Sequence, residues 1–233
     1  MEHLSRQYDS DLEAIRSRVL QMGGLVEAQI LTAIESFATG DVERMLQVSE
    51  NDRRVNSCEI EIDDACAHVI AKRQPAAGDL RLIMAVSKIV TDLERTGDEA
   101  EKIARMARQI HERGGLQIPR ASDVRHAGQL AVAMLRRVLD ALARLDAAEA
   151  ERIIAEDVTI DDAFRGIVRQ LVTYLMEDPR TISTALDIVW IAKAIERIGD
   201  HAKNVAEQVI YIVHGTDVRH ASREGQGGPD GAE

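Results

Sequence analysis

The sequence predicts an all-α fold: two tandem antiparallel three-helix bundles related by internal duplication, six long helices in all. Three observations predict it. Apolar residues step by three and four through most of the chain, the period of a helix with one buried stripe. Only four prolines occur, Pro75, Pro119, Pro179 and Pro229, with gaps too long for a sandwich or barrel with frequent turns. With one Trp, three Tyr and two Phe in 233 residues, the core must be built from Leu, Ile, Val, Ala and Met, which suits packed helices.

Leu12, Ile15, Val19, Met22, Val26, Ile30, Ala33 and Phe37 form the stripe of a first helix over roughly 4–38. Gly23 and Gly24 inside it point to a kink or a tight helix crossing; no strand precedes them, so they are not read as a phosphate loop. "TGD" at 39–41 supplies a glycine stop and an aspartate N-cap, and a second helix runs to about Arg73, where "QPAAGD" breaks it. Helix three carries Leu82, Val86, Ile89, Leu93, Ala100, Ile103, Ala107 and Ile110, and "RGGLQIPRASD" at 113–123 ends it. The plan then repeats: a helix over about 122–145, a second over 146–177, "DPR", and a last helix to about Val213 with Trp190 in its core stripe. The expected units are 1–115, 120–214 and a polar, glycine-rich tail, 215–233, with nothing to bury.

The duplication shows in the residues. Glu94, Arg95, Gly97, Asp98, Ala100 and Ala104 recur 102 positions later as Glu196, Arg197, Gly199, Asp200, Ala202 and Ala206. Asp52 and Asn56 match Asp157 and Asp161 at an offset of 105.

Two acids four apart share a helix face about 6 Å from each other and repel by a few tenths of a kcal/mol. Gly97 and Gly199 each cost the helix about 1 kcal/mol relative to alanine. Both glycines lie on the seam, where a missing side chain lets a neighbour come close. Glu94 and Asp98, each one residue past a seam position, are expected at the groove edge and at least half exposed. Facing Asp52 and Asn56, they would make a four-oxygen cation site; Asp157, Asp161, Glu196 and Asp200 would make a more acidic second one. Carboxylates of this kind accept magnesium, manganese, iron or calcium. His201 beside Asp200 could extend the second site, Arg95 and Arg197 most simply neutralise nearby acids, with a phosphate contact as the alternative, and such acid pairs also arise by chance on acidic helices, as Asp9 with Glu13 and Glu59 with Asp63 show.

The 29 basic and 40 acidic residues give a charge of −11, which repels phosphate backbones and argues against nucleic acid. Cys58 and Cys66, eight apart on one helix, are about 12 Å apart and cannot bridge, so they read as small buried residues in a reducing compartment. No 18-residue apolar run occurs, and the start "MEHLSRQYDSDLEAIR" lacks a secretion signal, so a cytoplasmic protein is expected.

"RQPAAGDLR" and "ERIGD", with their surroundings from about Gln7 to Ala221, closely resemble the two halves of the PhoU family of bacterial phosphate-signalling accessory proteins. The resemblance implies a cytoplasmic, non-catalytic homodimer. It would act as a negative regulator of the phosphate regulon, linking the Pst phosphate transporter and its ATPase PstB to the sensor kinase PhoR, and would meet the membrane only through such partners. It also implies metal ions (iron, manganese, magnesium or zinc) held by Glu94, Asp98 and Asp52 in the first half and by Glu196, Asp200, Asp157 and Asp161 in the second. Asn56 leaves the first set one charge short, so weaker metal affinity is expected there. Two rivals were weighed. A di-metal oxidase needs Glu-x-x-His, which none of the seven histidines provides. A helical scaffold, metal-binding or merely acid-decorated, with no role in phosphate signalling is the alternative that metal content and a phosphate-responsive reporter separate.

Overall fold

The computed structural model describes residues 2–114, 121–177 and 179–218. The expected break at 113–123 lies partly outside these, as do Asp178 of "DPR" and residues 219–233 of the expected tail. The described residues form α1 (Glu2–Thr39), α2 (Val42–Arg73), α3 (Ala77–Glu112), α4 (Ala121–Arg144), α5 (Ala147–Glu156), α6 (Val158–Glu177) and α7 (Ile182–His214), with a short 3-10 turn at Pro179–Thr181.

Local chemistry sets the ends. The Asp41 carboxylate accepts from the Arg44 backbone N–H at 3.1 Å and starts α2; Asp146 does the same for Glu149 at 3.0 Å and starts α5. Gln74 adopts a left-handed φ of 49°, returns its N–H to Ile70 and is followed by Pro75, which stops α2. Gly215 at φ 74° returns its N–H to the Tyr211 carbonyl and closes α7. The stretch read as one helix over 146–177 is interrupted at Asp157, where an aspartate followed by β-branched Val158 and Thr159 weakens the helix by one residue. Asp157 keeps right-handed angles, so α6 continues the same path.

Helices α1–α3 pack on one another, α7 packs on α4, α5 and α6, and the two sets join through α3 against α7 and α1 against α4. One continuous aliphatic core runs from Ile15 to Ile210 through both. The α1–α4 crossing depends on glycine: a β-carbon on Gly23 would stand 2.5 Å from Leu139, and one on Gly128 2.2 Å from Ile34. Gly23 therefore meets the sequence expectation of a tight crossing. Trp190 does not meet its own: it is 53% exposed, in line with Ile182 and Leu186 on the outer face of α7, with the Lys102 ammonium 5.7 Å above its ring. Among the described residues, no helix is long and apolar enough to cross a membrane.

Candidate functional site

In the first half, α2 presents Asp52 and Asn56 to Glu94 and Asp98 of α3, as the spacing predicts. Gly97 is the reason they can approach: a β-carbon there would lie 3.3 Å from Asp52 Oδ1 and 3.4 Å from Gln29 Oε1. The Gln29 amide donates to Asp52 Oδ1 at 3.1 Å and to the Gly97 carbonyl at 3.3 Å, and the Asn56 amide donates to Asp52 Oδ2 at 3.4 Å. Asp52 is thus held by two neutral amides. No ion pair reaches Asp52, Glu94 or Asp98 among the described residues. Burial raises the Glu94 carboxyl above its ordinary range, with Asp98, Glu59 and Asp52 adding to the rise. Asp98 is raised by burial too, then by Asp52, Glu99 and Glu101.

The second half gathers the same acids under different counter-charges. Lys193 donates to Glu196 Oε1 at 2.6 Å, Lys203 to Asp157 Oδ2 at 2.8 Å, and Arg165 stands 3.8 Å from Asp161. Burial, then Glu196 and Asp157, raise Asp200, while Lys193 opposes them. The Lys203 ammonium is raised chiefly by its bond to Asp157. Here the seam glycine admits carbon: a β-carbon on Gly199 would lie 2.9 Å from Ile160 Cδ1.

Exposure differs from expectation for one acid of each pair. Asp98 and Asp200 are exposed, but Glu94 is half-buried and the Glu196 side chain is only 13% exposed. The aspartates share the same 100° rotation from the seam, so the difference lies in what each glutamate meets: Lys193 bonds Glu196 at 2.6 Å, and Glu59 and Asp52 of α2 stand near Glu94. His201 extends no acid site; it is buried, with Nδ1 2.9 Å from Asp92 Oδ1 across the α3–α7 interface. Arg197 does neutralise an acid, Glu99 of α3, at 3.1 Å. Burial raises both thiols, Cys66 to about 11, so neither is poised as a thiolate.

Sequence reasoning missed Glu59 and Glu101. Glu59 lies seven past Asp52 on the same α2 face, and the period alone could have placed it; burial and Asp63 raise it while the Thr91 hydroxyl opposes. Glu101 accepts from Ser49 of α2 at 3.1 Å. Lys193 and Lys203 were also missed; Lys193 stands three residues before Glu196 on the same helix, so the period could have placed it, whereas the reach of Lys203 to Asp157 depends on the register of packing.

The donors are hard oxygens, suited to a magnesium, manganese or iron ion. As placed, however, they do not converge: among the described residues no three of His, Cys, Asp and Glu stand where one ion could be held by all of them. Cation binding would require Asp52 to leave its amides in the first half, and Glu196 and Asp157 to leave their lysines in the second.

Fold and site together define a class: a duplicated helical bundle with a carboxylate groove on each half. A family model described as the PhoU domain matches residues 19–107 and again 124–209. The chain belongs to the PhoU family. It is 48% identical over 224 residues to a Burkholderia phosphate-specific transport system accessory protein PhoU homolog, covering 96% of this chain and 95% of that one. It is 45% identical over 219 residues to the Escherichia coli K12 accessory protein PhoU, covering 94% and 90%. The crystal structure of PhoU from Pseudomonas aeruginosa superposes with a TM-score of 0.86 at 48% identity, covering 90% of this chain and all of that one. That of the phosphate transport system regulatory protein PhoU from Streptococcus pneumoniae gives 0.83 at 26% identity, covering 91% and 99%.

Proposed function

We propose that this protein regulates phosphate transport without catalysing a reaction: a cytoplasmic homodimeric adaptor that links the Pst transporter, through its ATPase PstB, to the sensor kinase PhoR and restrains the phosphate regulon when phosphate is plentiful. The observation that carries this reading is likeness over nearly the whole chain, 94% or more, to proteins named for accessory service to the phosphate-specific transport system. An adaptor also needs surface to dock on. Ile182, Leu186 and Trp190 on α7, with Leu80 and Met84 at the matching positions of α3, expose apolar area that a partner would cover. The test is a gene deletion carrying an alkaline phosphatase reporter: in phosphate-rich medium the reporter should rise and fall again on complementation. A silent reporter would count against the reading.

A second reading, metal binding at the acid sets, is favoured by the first-half carboxylates, whose mutual repulsion Arg95 opposes only from beyond ion-pair distance and a bound cation would relieve. Counting acids alone makes that half the weaker site. We propose the opposite order, because a cation entering the second half must first displace Lys193 and Lys203.

A further inference from the structure

A cavity of about 360 Å³ opens between α3 and α7, lined by Ser87, Lys88, Thr91, Asp92 and Arg95 from α3 and Asn204 and Gln208 from α7. Among the described residues its cations make no ion pair. Arg81, Lys88 and Arg95 repeat every seven residues along one face of α3, and neither Lys88 nor Arg95 meets a carboxylate at ion-pair distance among the described residues. Lys88 instead lies 5.6 Å and Arg81 5.9 Å over the Tyr211 ring. In a chain of charge −11, an opening lined by two cations and one carboxylate, Asp92, is locally positive.

The cavity also carries acceptors. Asp92, 8% exposed, shares Oδ1 with His201 Nδ1 at 2.9 Å and the Asn204 amide at 3.0 Å, which leaves Oδ2 over. Gln208 is 4% exposed, and its Oε1 is buried without a hydrogen-bond partner. A ligand that satisfies this lining must bring negative oxygens for Lys88 and Arg95 together with a hydroxyl for Asp92 or Gln208.

The duplication supplies an internal control. Shifted by 102, Lys88, Asp92, Arg95, Asn204 and Gln208 become Trp190, Ala194, Arg197, Lys102 and Met106. There Lys102 sits over the Trp190 ring at 5.7 Å, as Lys88 does over Tyr211, but Arg197 pairs with Glu99 at 3.1 Å and both acceptors are gone. Glu99 is replaced at the related position by His201, so Arg95 makes no ion pair across the interface, and it acts from a longer range on Glu94 and Glu59. The cavity comes from what the second copy lost.

We propose that this cavity binds inorganic hydrogen phosphate: Lys88 and Arg95 hold its anionic oxygens, and Asp92 Oδ2 with Gln208 Oε1 accepts from its hydroxyl. Lys and Arg are the side chains that hold phosphate oxygens by charge-assisted bonds. The acceptors choose among oxyanions. Sulfate has no proton to give at neutral pH, and a phosphate monoester, with its second pKa near 6, is mostly without one. The volume is at the small end of ligand sites. This assignment does not depend on which protein the surface docks on.

Titration calorimetry of the full chain, dialysed free of phosphate, tests it with inorganic phosphate, sulfate and glycerol 3-phosphate as separate probes. Phosphate should bind once per chain, at least about tenfold more tightly than either competitor. Lys88→Ala with Arg95→Ala should weaken it by about tenfold or more, with the helical signal unchanged. Asp92→Asn, which can donate a hydrogen bond, should bring sulfate level with phosphate. Because Asp92 also bridges the halves, Gln208→Leu is a second acceptor variant, and it should narrow the preference for phosphate over sulfate. No binding at millimolar phosphate, sulfate or glycerol 3-phosphate binding equal to phosphate in the unsubstituted protein, or full affinity without Lys88 and Arg95 would each overturn the assignment.

Discussion

The two acid grooves descend from one and now differ in what opposes their charge. Where the second half has Lys193 against Glu196, the first has Thr91; where it has Lys203 against Asp157, the first has Glu101; where it has Arg165 near Asp161, the first has Ile60. The exchange extends to packing. Glu59 of the first half corresponds to Phe164 of the second, whose ring lies 5.5 Å beneath the Lys193 ammonium. One groove sets cations against three of its four carboxylates, all but Asp200; the other holds Asp52 with amides and leaves Glu94 and Asp98 without ion pairs. Carboxylates kept in place against their own repulsion are the pattern expected of a site that receives a cation, whereas the neutralised set behaves as part of the frame.

The largest effect expected from this difference is on stability. Asp157 is 8% exposed, so Lys203→Ala strands a buried carboxylate; since Lys203 itself is about one-third exposed, the loss should be about 1–2 kcal/mol, a fall in Tm of about 4 °C. Glu101→Ala, the related position in the first half, should move Tm by about 1 °C or less. Equal losses at the two positions would mean the halves are balanced alike.

A transplant sharpens the contrast. Thr91→Lys places an ammonium three residues before Glu94, as Lys193 stands before Glu196, and should weaken manganese binding at the first groove by about tenfold. Unchanged binding in a manganese titration would separate metal affinity from counter-charge.

The smallest effect is a pH dependence. Glu94 and Asp98 have carboxyls raised on folding, so their contribution to stability is full below the unfolded pKa, about 4, and is lost as pH rises through the folded values. Glu94→Gln with Asp98→Asn should therefore stabilise the protein at neutral pH by a few tenths of a kcal/mol, with the gain vanishing in acid. Glu196→Gln, which deprives Lys193 of its partner, should bring no such gain. Thermal melts at pH 7 and pH 3 would decide it, and a gain that persists in acid would not come from ionisation.

Much of this fold was legible because helical period and turn chemistry agree: Asp41, Gln74 with Pro75, and Asp146 sit where caps and stops were expected. The break at Asp157 was not, since one weak residue in a long apolar pattern leaves the period intact. The pairing of Asp52 and Asn56 with Glu94 and Asp98 followed from the repeat and the seam glycine. Trp190 was misplaced because a helix apolar on two faces gives no sign of which one the core takes; Ile182 and Leu186 share its exposed face. One counter-charge was hidden for a related reason: Lys203 reaches Asp157 from 46 residues away, and only the register of α7 against the α5–α6 junction brings them to 2.8 Å.

The central proposal is that the first groove, rather than the more acidic second, takes up a cation, and manganese binding to the full chain followed by electron paramagnetic resonance tests it most directly. Glu94→Gln with Asp98→Asn should abolish the tighter manganese signal, while Glu196→Gln with Asp200→Asn should leave it within about twofold of the unsubstituted protein. The reverse order, or no bound manganese in the unsubstituted chain, would contradict it.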